Sequence, residues 1–358
     1  MRLGLVTYGS LDTMSGGFLY DRKLVQYLRQ QGDRVEVISL PWRGYGPGWL
    51  ENLSPTLLAR LSRAPLDLLL QDELAHPAFF WLNRRLRRRV NYPLISIVHH
   101  LLSREARPPW QNHLYRLVER QYLASVDGFV FISRTTRVDV ENLVGSGRPA
   151  ILAYPGGDRL PVALTEAEIA DRAAQPGPLK IISVANLIPR KEVHTLLAAL
   201  ARLPRQAWRL TVVGNLTLNP AYVRTIRRQI AALGLTSRVS LLGTLPDAHL
   251  ARKLAVSHLM AMPSSYEGLG IAYLEGMRCG LPAIASSRGA AQEIIHHGED
   301  GYLVPPRDPE ALARCLGRLV VDRARLLKMS LAARRNAAGH PTWEECGARV
   351  RRFLHAVR

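Results

Sequence analysis

Apolar residues along the chain fall into two alternating arrangements. Short unbroken runs such as Leu3 to Tyr8, Leu94 to Val98 and Leu210 to Val213 have the form of strands buried on both faces of a parallel sheet. Between them lie stretches with apolar residues three and four apart, as in Phe18 to Arg29, Val193 to Leu203 and Tyr222 to Leu233, which predict helices packed by one face. Glycine punctuates the pattern: Gly9, Gly16 and Gly17 separate the first strand from the first helix, and Gly32 ends that helix before Val35 to Leu40. Strand, glycine loop, helix and strand make a β-α-β unit, so the pattern predicts an α/β protein.

Further strands are expected at Leu66 to Leu70, Gly128 to Ser133, Pro149 to Leu152, Ile181 to Val184, Val239 to Leu242 and Ala283 to Ala285, and the run Leu254 to Met262 ends as one. Helices are expected at Thr135 to Leu143, from near Asp308, and from Trp343 to Arg358. Pro161 to Pro178, rich in Ala, Asp, Glu and Pro, is expected to be a linker and its flank. A chain of 358 residues exceeds what one core covers efficiently. Two domains are expected, 1–158 and 159–340, followed by a basic terminal helix over 341–358.

Composition narrows the class. No apolar run approaches the roughly 18 residues of a membrane span. Met1 to Ser10 lacks the pattern of a signal peptide and is expected to be a buried first strand, which places the protein in the cytoplasm. Cys279, Cys315 and Cys346 are far apart and in no metal-ligand spacing, so no structural zinc is expected. The formal charge of +19 attracts nucleic acid, anionic lipid and anionic small molecules alike. One basic cluster is local: Arg84, Arg85, Arg87, Arg88 and Arg89 follow Phe79, Phe80 and Trp81. On a helix this suits either peripheral contact with the inner face of an anionic membrane or a solvated face with its aromatics in the core. A basic α/β protein that binds nucleic acid without catalysis is a rival reading. It needs aromatics interleaved with cations on one surface, whereas the aromatics here, 7% of residues, lie mostly within apolar runs.

The stretch Met262 to Pro282 carries the candidate chemistry. After the expected strand, a loop with Glu267, Gly268, Leu269 and Gly270 opens into a helix that reaches about Cys279. Unpaired N–H groups and the positive helix end favour an anion there, and glycine lets the backbone approach it. Were the segment helical throughout, Glu267 and Glu275 would stand roughly 12 Å apart on similar sides, a span that suits a nucleotide sugar. Glu267 would accept hydrogen bonds from sugar hydroxyls and Glu275 from a ribose. Arg190 and Lys191, on the loop after the strand Ile181 to Val184, supply charge suited to a diphosphate. Gly214 and Leu242, at expected strand ends, are further candidate donor contacts, and Val239 to Gly243 is expected to read the base. Tyr20, Asp72 and His100 are candidate acceptor contacts in the first domain, and His99 ends a buried strand.

Pro-Ser-x-x-Glu-Gly-Leu-Gly-x-x-x-Leu-Glu-Gly-x-x-x-Gly-x-Pro, from Pro263, closely resembles the Glu-x7-Glu segment of the family-4 glycosyltransferases. Ser15-Gly16-Gly17, His99-His100, Tyr154 to Asp158 and Arg190-Lys191-Glu192 resemble further family segments. His100 stands where an Asp is usual, and Glu192 where a Gly is. The resemblance implies a GT-B fold, two Rossmann-like doubly wound domains facing a cleft, with the last helix crossing back to the first domain. It implies retaining, metal-independent transfer of a hexosyl group from a UDP- or GDP-sugar to a hydroxyl of a glycolipid, polysaccharide or small-molecule acceptor. No cofactor beyond that co-substrate, and no partner protein, is expected. His99 would approach the donor sugar, Gly16 and Gly17 would face the donor diphosphate, and Arg190 and Lys191 would meet the leaving group. An epimerising or phosphorylase-like enzyme of the same fold is the enzymatic alternative.

Overall fold

The computed structural model describes residues 1–41, 44–162 and 164–358. The chain divides into two compact units: Met1–Pro155 with Trp343–Arg358, and Gly156–Thr342. Each is built on a six-stranded sheet whose paired strands all run parallel.

Unit 1 contains strands β1 (Arg2–Tyr8), β2 (Arg34–Leu40), β3 (Leu68–Asp72), β4 (Leu94–Val98), β5 (Gly128–Phe131) and β6 (Ala150–Leu152), in the order β2-β1-β3-β4-β5-β6. The continuous apolar runs explain the order: β3 and β4 are buried at every position, as strands covered on both faces must be. The third strand sits two residues later than the sequence pattern suggests. Its C-terminal residues, Gln71 and Asp72, are polar yet fully buried, because their side chains bond inside the unit. The helix Gly16–Gln30 buries Leu19, Tyr20, Asp21, Leu24, Val25 and Leu28. Against it lies the terminal helix Trp343–Val357, where Gly347 allows the close approach: a Cβ there would come within 2.4 Å of the Tyr27 ring. Arg351 fixes the contact by donating to Asp33 at 2.7 Å.

Unit 2 contains β7 (Leu179–Val184), β8 (Trp208–Val213), β9 (Val239–Leu241), β10 (Leu259–Met262), β11 (Ala283–Ser286) and β12 (Gly301–Val304). Read from β9, the order is β9-β8-β7-β10-β11-β12, the arrangement of a Rossmann sheet with its reversal between β7 and β10. In unit 1 the reversal falls between β1 and β3. Ligands of such sheets bind outside the strand C-termini at these reversals. The fold therefore singles out the loops after β1 and β3 in one unit and after β7 and β10 in the other.

Three expectations change. The span Pro161 to Pro178 is not a plain linker: Glu166–Ala174 is a helix, started by a capping box in which Thr165 and Glu168 bond reciprocally, and it belongs to unit 2. The helix after Gly270 begins only at Ile271 and ends at Arg278. Glu267 lies on the loop before it, as the sequence pattern predicts, and only the separation reckoned along a continuous helix does not apply. The basic run forms only the short helix Leu82–Leu86, with Phe79 fully buried and Trp81 47% exposed.

Candidate active site

In unit 2 the loops after β7 and β10 bring together Arg190, Lys191 and Glu267, three residues the sequence singles out. The Lys191 ammonium contacts Glu267 Oε1, and Arg190 Nη1 lies 3.5 Å from Oε2. Arg190 also donates to the Tyr266 carbonyl at 2.8 Å, while the Ser265 N–H donates to the Arg190 carbonyl at 2.8 Å, so the two loops are laced together. Burial opposes the charge on Glu267, but Lys191 and then Arg190 outweigh it and bring the carboxyl down to about 2. At neutral pH Glu267 therefore only accepts hydrogen bonds.

Glycines set the backbone around it. Gly289 runs beside Glu267, and a Cβ there would come within 2.3 Å of the Glu267 carbonyl oxygen. Gly270 adopts φ 95°, with the Tyr273 ring where a Cβ would stand. Tyr273 in turn donates to the Met262 carbonyl at 2.7 Å, pinning the helix Ile271–Arg278 onto β10. No side chain caps that helix, which leaves its N-terminus suited to an anion. Gly268 is partly exposed beside it, whereas the Leu269 side chain is buried. Gly214, at φ 156°, packs so closely on Ala185 that a Cβ would come within 2.0 Å of its carbonyl oxygen. Gly214 N–H donates to the Gly243 carbonyl at 2.9 Å, and Leu242 lies 38% exposed at the end of β9.

Glu192 resolves the departure from the usual glycine. It adopts the left-handed φ of 53° and ψ of 34° that glycine favours. Thr195 donates to its carboxylate at 2.7 Å, and His194 and Arg307 lie at 3.1 and 3.3 Å. These contacts hold a non-glycine residue in that conformation and bury it at 2% exposure.

In unit 1 the helix after β1 and the C-terminal ends of β3 and β4 form a second polar cluster. His99 Nε2 lies 3.2 Å from Asp21 Oδ1 and 3.8 Å from Asp72 Oδ1, all three nearly fully buried. Burial disfavours the imidazolium, but Asp21 and then Asp72 reverse the balance and raise His99 to about 9. Asp72, buried beside Asp21, is pushed up to about 8. Ser15 caps the helix Gly16–Gln30 by accepting from the Phe18 N–H. A Cβ on Gly17 would stand 3.2 Å from the His99 ring, a tight contact.

Tyr20 and Asp72, expected as acceptor contacts, are both buried. Tyr20 is 1% exposed, its hydroxyl bonded to the Ala153 carbonyl at 3.2 Å and its ring edge-on to His99 at 5.5 Å. Both residues support His99 from within. His100 is nearer the surface and pairs with Glu105 at 2.8 Å. Asp21 escapes the sequence reading, because a lone Asp among apolar helix positions gives no signal until the sheet brings it to His99.

Among the described residues two buried sets gather ligand-type atoms within 4.8 Å, Asp21 with Asp72 and His99, and Glu73 with His76 and Glu119. In the first, Asp21 and then Asp72 favour the protonated form of the His99 imidazole. In the second, both His76 nitrogens are bonded, Nδ1 to the Glu73 carbonyl at 2.9 Å and Nε2 to the Tyr45 hydroxyl at 3.0 Å.

The fold is that of an α/β protein of two Rossmann-like units. The model for Glycosyl transferases group 1 matches residues 165–337, and that for a Glycosyl transferase 4-like domain matches 14–157. The chain belongs to this glycosyltransferase family and has its GT-B fold. It is similar to a GDP-mannose-dependent alpha-(1-6)-phosphatidylinositol monomannoside mannosyltransferase of Mycolicibacterium smegmatis, 29% identical over 65% of this chain and 63% of that protein. The match thus spans less than two thirds of that relative's length. In structure it resembles sucrose-phosphate synthase from Thermosynechococcus elongatus, with a TM-score of 0.83, 22% identity and full coverage of both chains. It also resembles Anabaena HepE solved with UDP and glucose, with a TM-score of 0.76 and 21% identity over 99% of this chain and 100% of that one.

Proposed function

We propose that the protein is a retaining hexosyltransferase that uses a nucleotide-diphosphate sugar, with the donor held by unit 2 and the acceptor by unit 1. The observation that carries this reading is the ionised Glu267 flanked by Lys191 and Arg190 at the reversal of the second sheet. In that role Glu267 accepts from sugar hydroxyls, and the two cations with the N-terminus of Ile271–Arg278 meet the charge that grows on the departing diphosphate. Glu275 accepts from the ribose hydroxyls. In this reading His99, whose protonated form Asp21 favours, approaches the donor sugar, as the family resemblance implies. The acceptor hydroxyl passes its proton to the leaving phosphate on the same face, so the anomeric configuration is kept. Relatives named for GDP-mannose and neighbours solved with UDP support a UDP- or GDP-linked donor, and the mannosyltransferase names support an inositol-lipid or saccharide acceptor.

Membrane contact belongs to the same reading. Trp81, Arg88 and Arg89 lie exposed, and a lipid-linked acceptor would be met at an anionic surface.

The test is transfer from UDP- and GDP-hexoses with the product's configuration read by proton NMR, in the wild type and Glu267→Gln. We expect a retained configuration and a loss of turnover of at least about a hundredfold in the variant, the scale of removing a group that acts in the transition state. An inverted product, or near-normal turnover of Glu267→Gln, overturns the reading.

A further inference from the structure

Glu275 sits on the helix Ile271–Arg278 at 3% exposure, where an ionised carboxylate needs a partner. The structure supplies one that no sequence motif indicates. Arg159 Nε donates to Glu275 Oε1 at 2.6 Å and Nη2 donates to Oε2 at 3.1 Å, a two-pronged pair. The third guanidinium nitrogen, Nη1, donates to Asp247 Oδ1 at 2.5 Å, at the start of the helix Asp247–Ala255. Arg159 itself is only 8% exposed. Its placement follows from the chain just before it: a Cβ on Gly157 would come within 2.9 Å of Leu274 Cβ and 3.3 Å of Arg278 Cδ. Glycine lets that segment lie flat on the helix, one turn from Glu275.

We propose that Arg159 is a positioning residue for donor binding, whose guanidinium fork holds the Glu275 carboxylate ionised and oriented to receive the ribose hydroxyls of a nucleoside diphosphate. This rests on the ribose role given to Glu275 above. The chemistry is consistent with both partners at once, since a carboxylate offers about four lone-pair sites and a fork uses two. A planar guanidinium fixes the carboxylate plane in a way a point-charge ammonium does not. Without the fork, a carboxyl this buried takes up a proton or turns toward water. In either state it no longer presents two charged acceptors to a ribose. Asp247, half exposed at 49%, steadies the far side of the guanidinium and is the weaker lever.

The experiment titrates UDP and GDP by calorimetry against the wild type, Arg159→Gln, Arg159→Lys, Asp247→Asn and Glu275→Gln, with donor KM and kcat measured in parallel. Arg159→Gln should weaken nucleotide binding on the order of tenfold to a hundredfold, the scale of hydrogen bonds to a charged group. Its donor KM should rise while kcat at saturating donor stays within about threefold, since ribose contacts are made in ground and transition states alike. Arg159→Lys should fall between Gln and wild type, and Asp247→Asn, which leaves the buried pair intact, should weaken binding about twofold to threefold. Were Arg159→Gln to unfold, the Lys and Asn variants still decide the matter. If Glu275→Gln weakens binding but the Arg159 and Asp247 variants do not, the positioning role is overturned and the ribose role stands. If Glu275→Gln leaves binding unchanged, both fall. Tighter nucleotide binding by Arg159→Gln also overturns the proposal, because it marks Arg159 as a competitor for the carboxylate.

Discussion

His99 shows how one buried residue couples the site to pH. Its folded value of about 9 stands above the ordinary histidine value near 6.5, and that of Asp72, about 8, stands above the usual carboxylate range. Both groups bind protons more tightly folded than unfolded, so stability falls as pH rises across the interval between those values. The His99 contribution is complete below about 6.5 and is lost as pH passes through about 9. The melting temperature should therefore drop by several degrees between pH 7 and 10, and Asp21→Asn, which removes the carboxylate nearest the imidazole, should flatten that slope. An unchanged slope in Asp21→Asn would show that Asp21 is not what holds the proton. The sequence allows His99 to be placed at a strand end, where a sheet binds ligands. It does not show Asp21, 78 residues earlier, because only the parallel order β1-β3-β4 brings the first helix beside that strand end. The same limit applies in unit 2: Glu267, Arg190 and Lys191 are legible as a motif and a loop charge, whereas Arg159 lies in an unremarked segment whose meaning depends on a glycine packing against a helix.

Elements that the apolar period marks strongly are those recovered best. β1, β2 and the helices around Leu24 and Ile226 follow the sequence pattern within a few residues. The helix Glu166–Ala174 is the instructive exception. Its capping box, Thr165 with Glu168, is written in the sequence, but the acidic, proline-flanked composition of the span points to a linker. What makes it an element is tertiary: Arg172, 5% exposed, donates to the carbonyls of Ala255, Cys279 and Gly280 at 3.1, 2.9 and 2.7 Å. It thereby satisfies the C-terminal carbonyls of two helices, including the one that bears Glu275, where a cation is also favoured by the helix dipole. Two substitutions separate the contributions in urea denaturation. Thr165→Ala removes only the cap and should cost about 1 kcal/mol, whereas Arg172→Met strands buried carbonyls and should cost roughly 2–4 kcal/mol. Equal costs would mean that the carbonyl contacts do not hold the helix in place.

At the scale of the whole molecule the net charge of +19 is a long-range field, and the local structure decides how much of it is available to a surface. Among the described residues no helix is long and apolar enough to cross a membrane. Within the basic run, Arg84 bonds Gln121, Arg85 donates to the Asn52 carbonyl at 2.7 Å, and Arg87 donates to the Ser125 carbonyl at 2.9 Å while pairing with Asp127. Those three arginines tie the short helix to its neighbours. Arg88 and Arg89 lie exposed beyond it, as does Trp81 before it. Each basic residue close to an anionic surface contributes about 1 kcal/mol, so Arg88 and Arg89 together account for roughly a thirtyfold difference in binding, with Trp81 adding an interfacial anchor. Flotation with anionic and neutral vesicles should show binding to the anionic ones alone. That binding should be weakened roughly thirtyfold by Arg88→Gln with Arg89→Gln, and further by Trp81→Ala, while the melting temperature holds because none of the three side chains is buried. Equal binding to both vesicle types, or anionic binding untouched by the three changes, would assign the attraction to the diffuse charge of the molecule and remove the docking role from this segment.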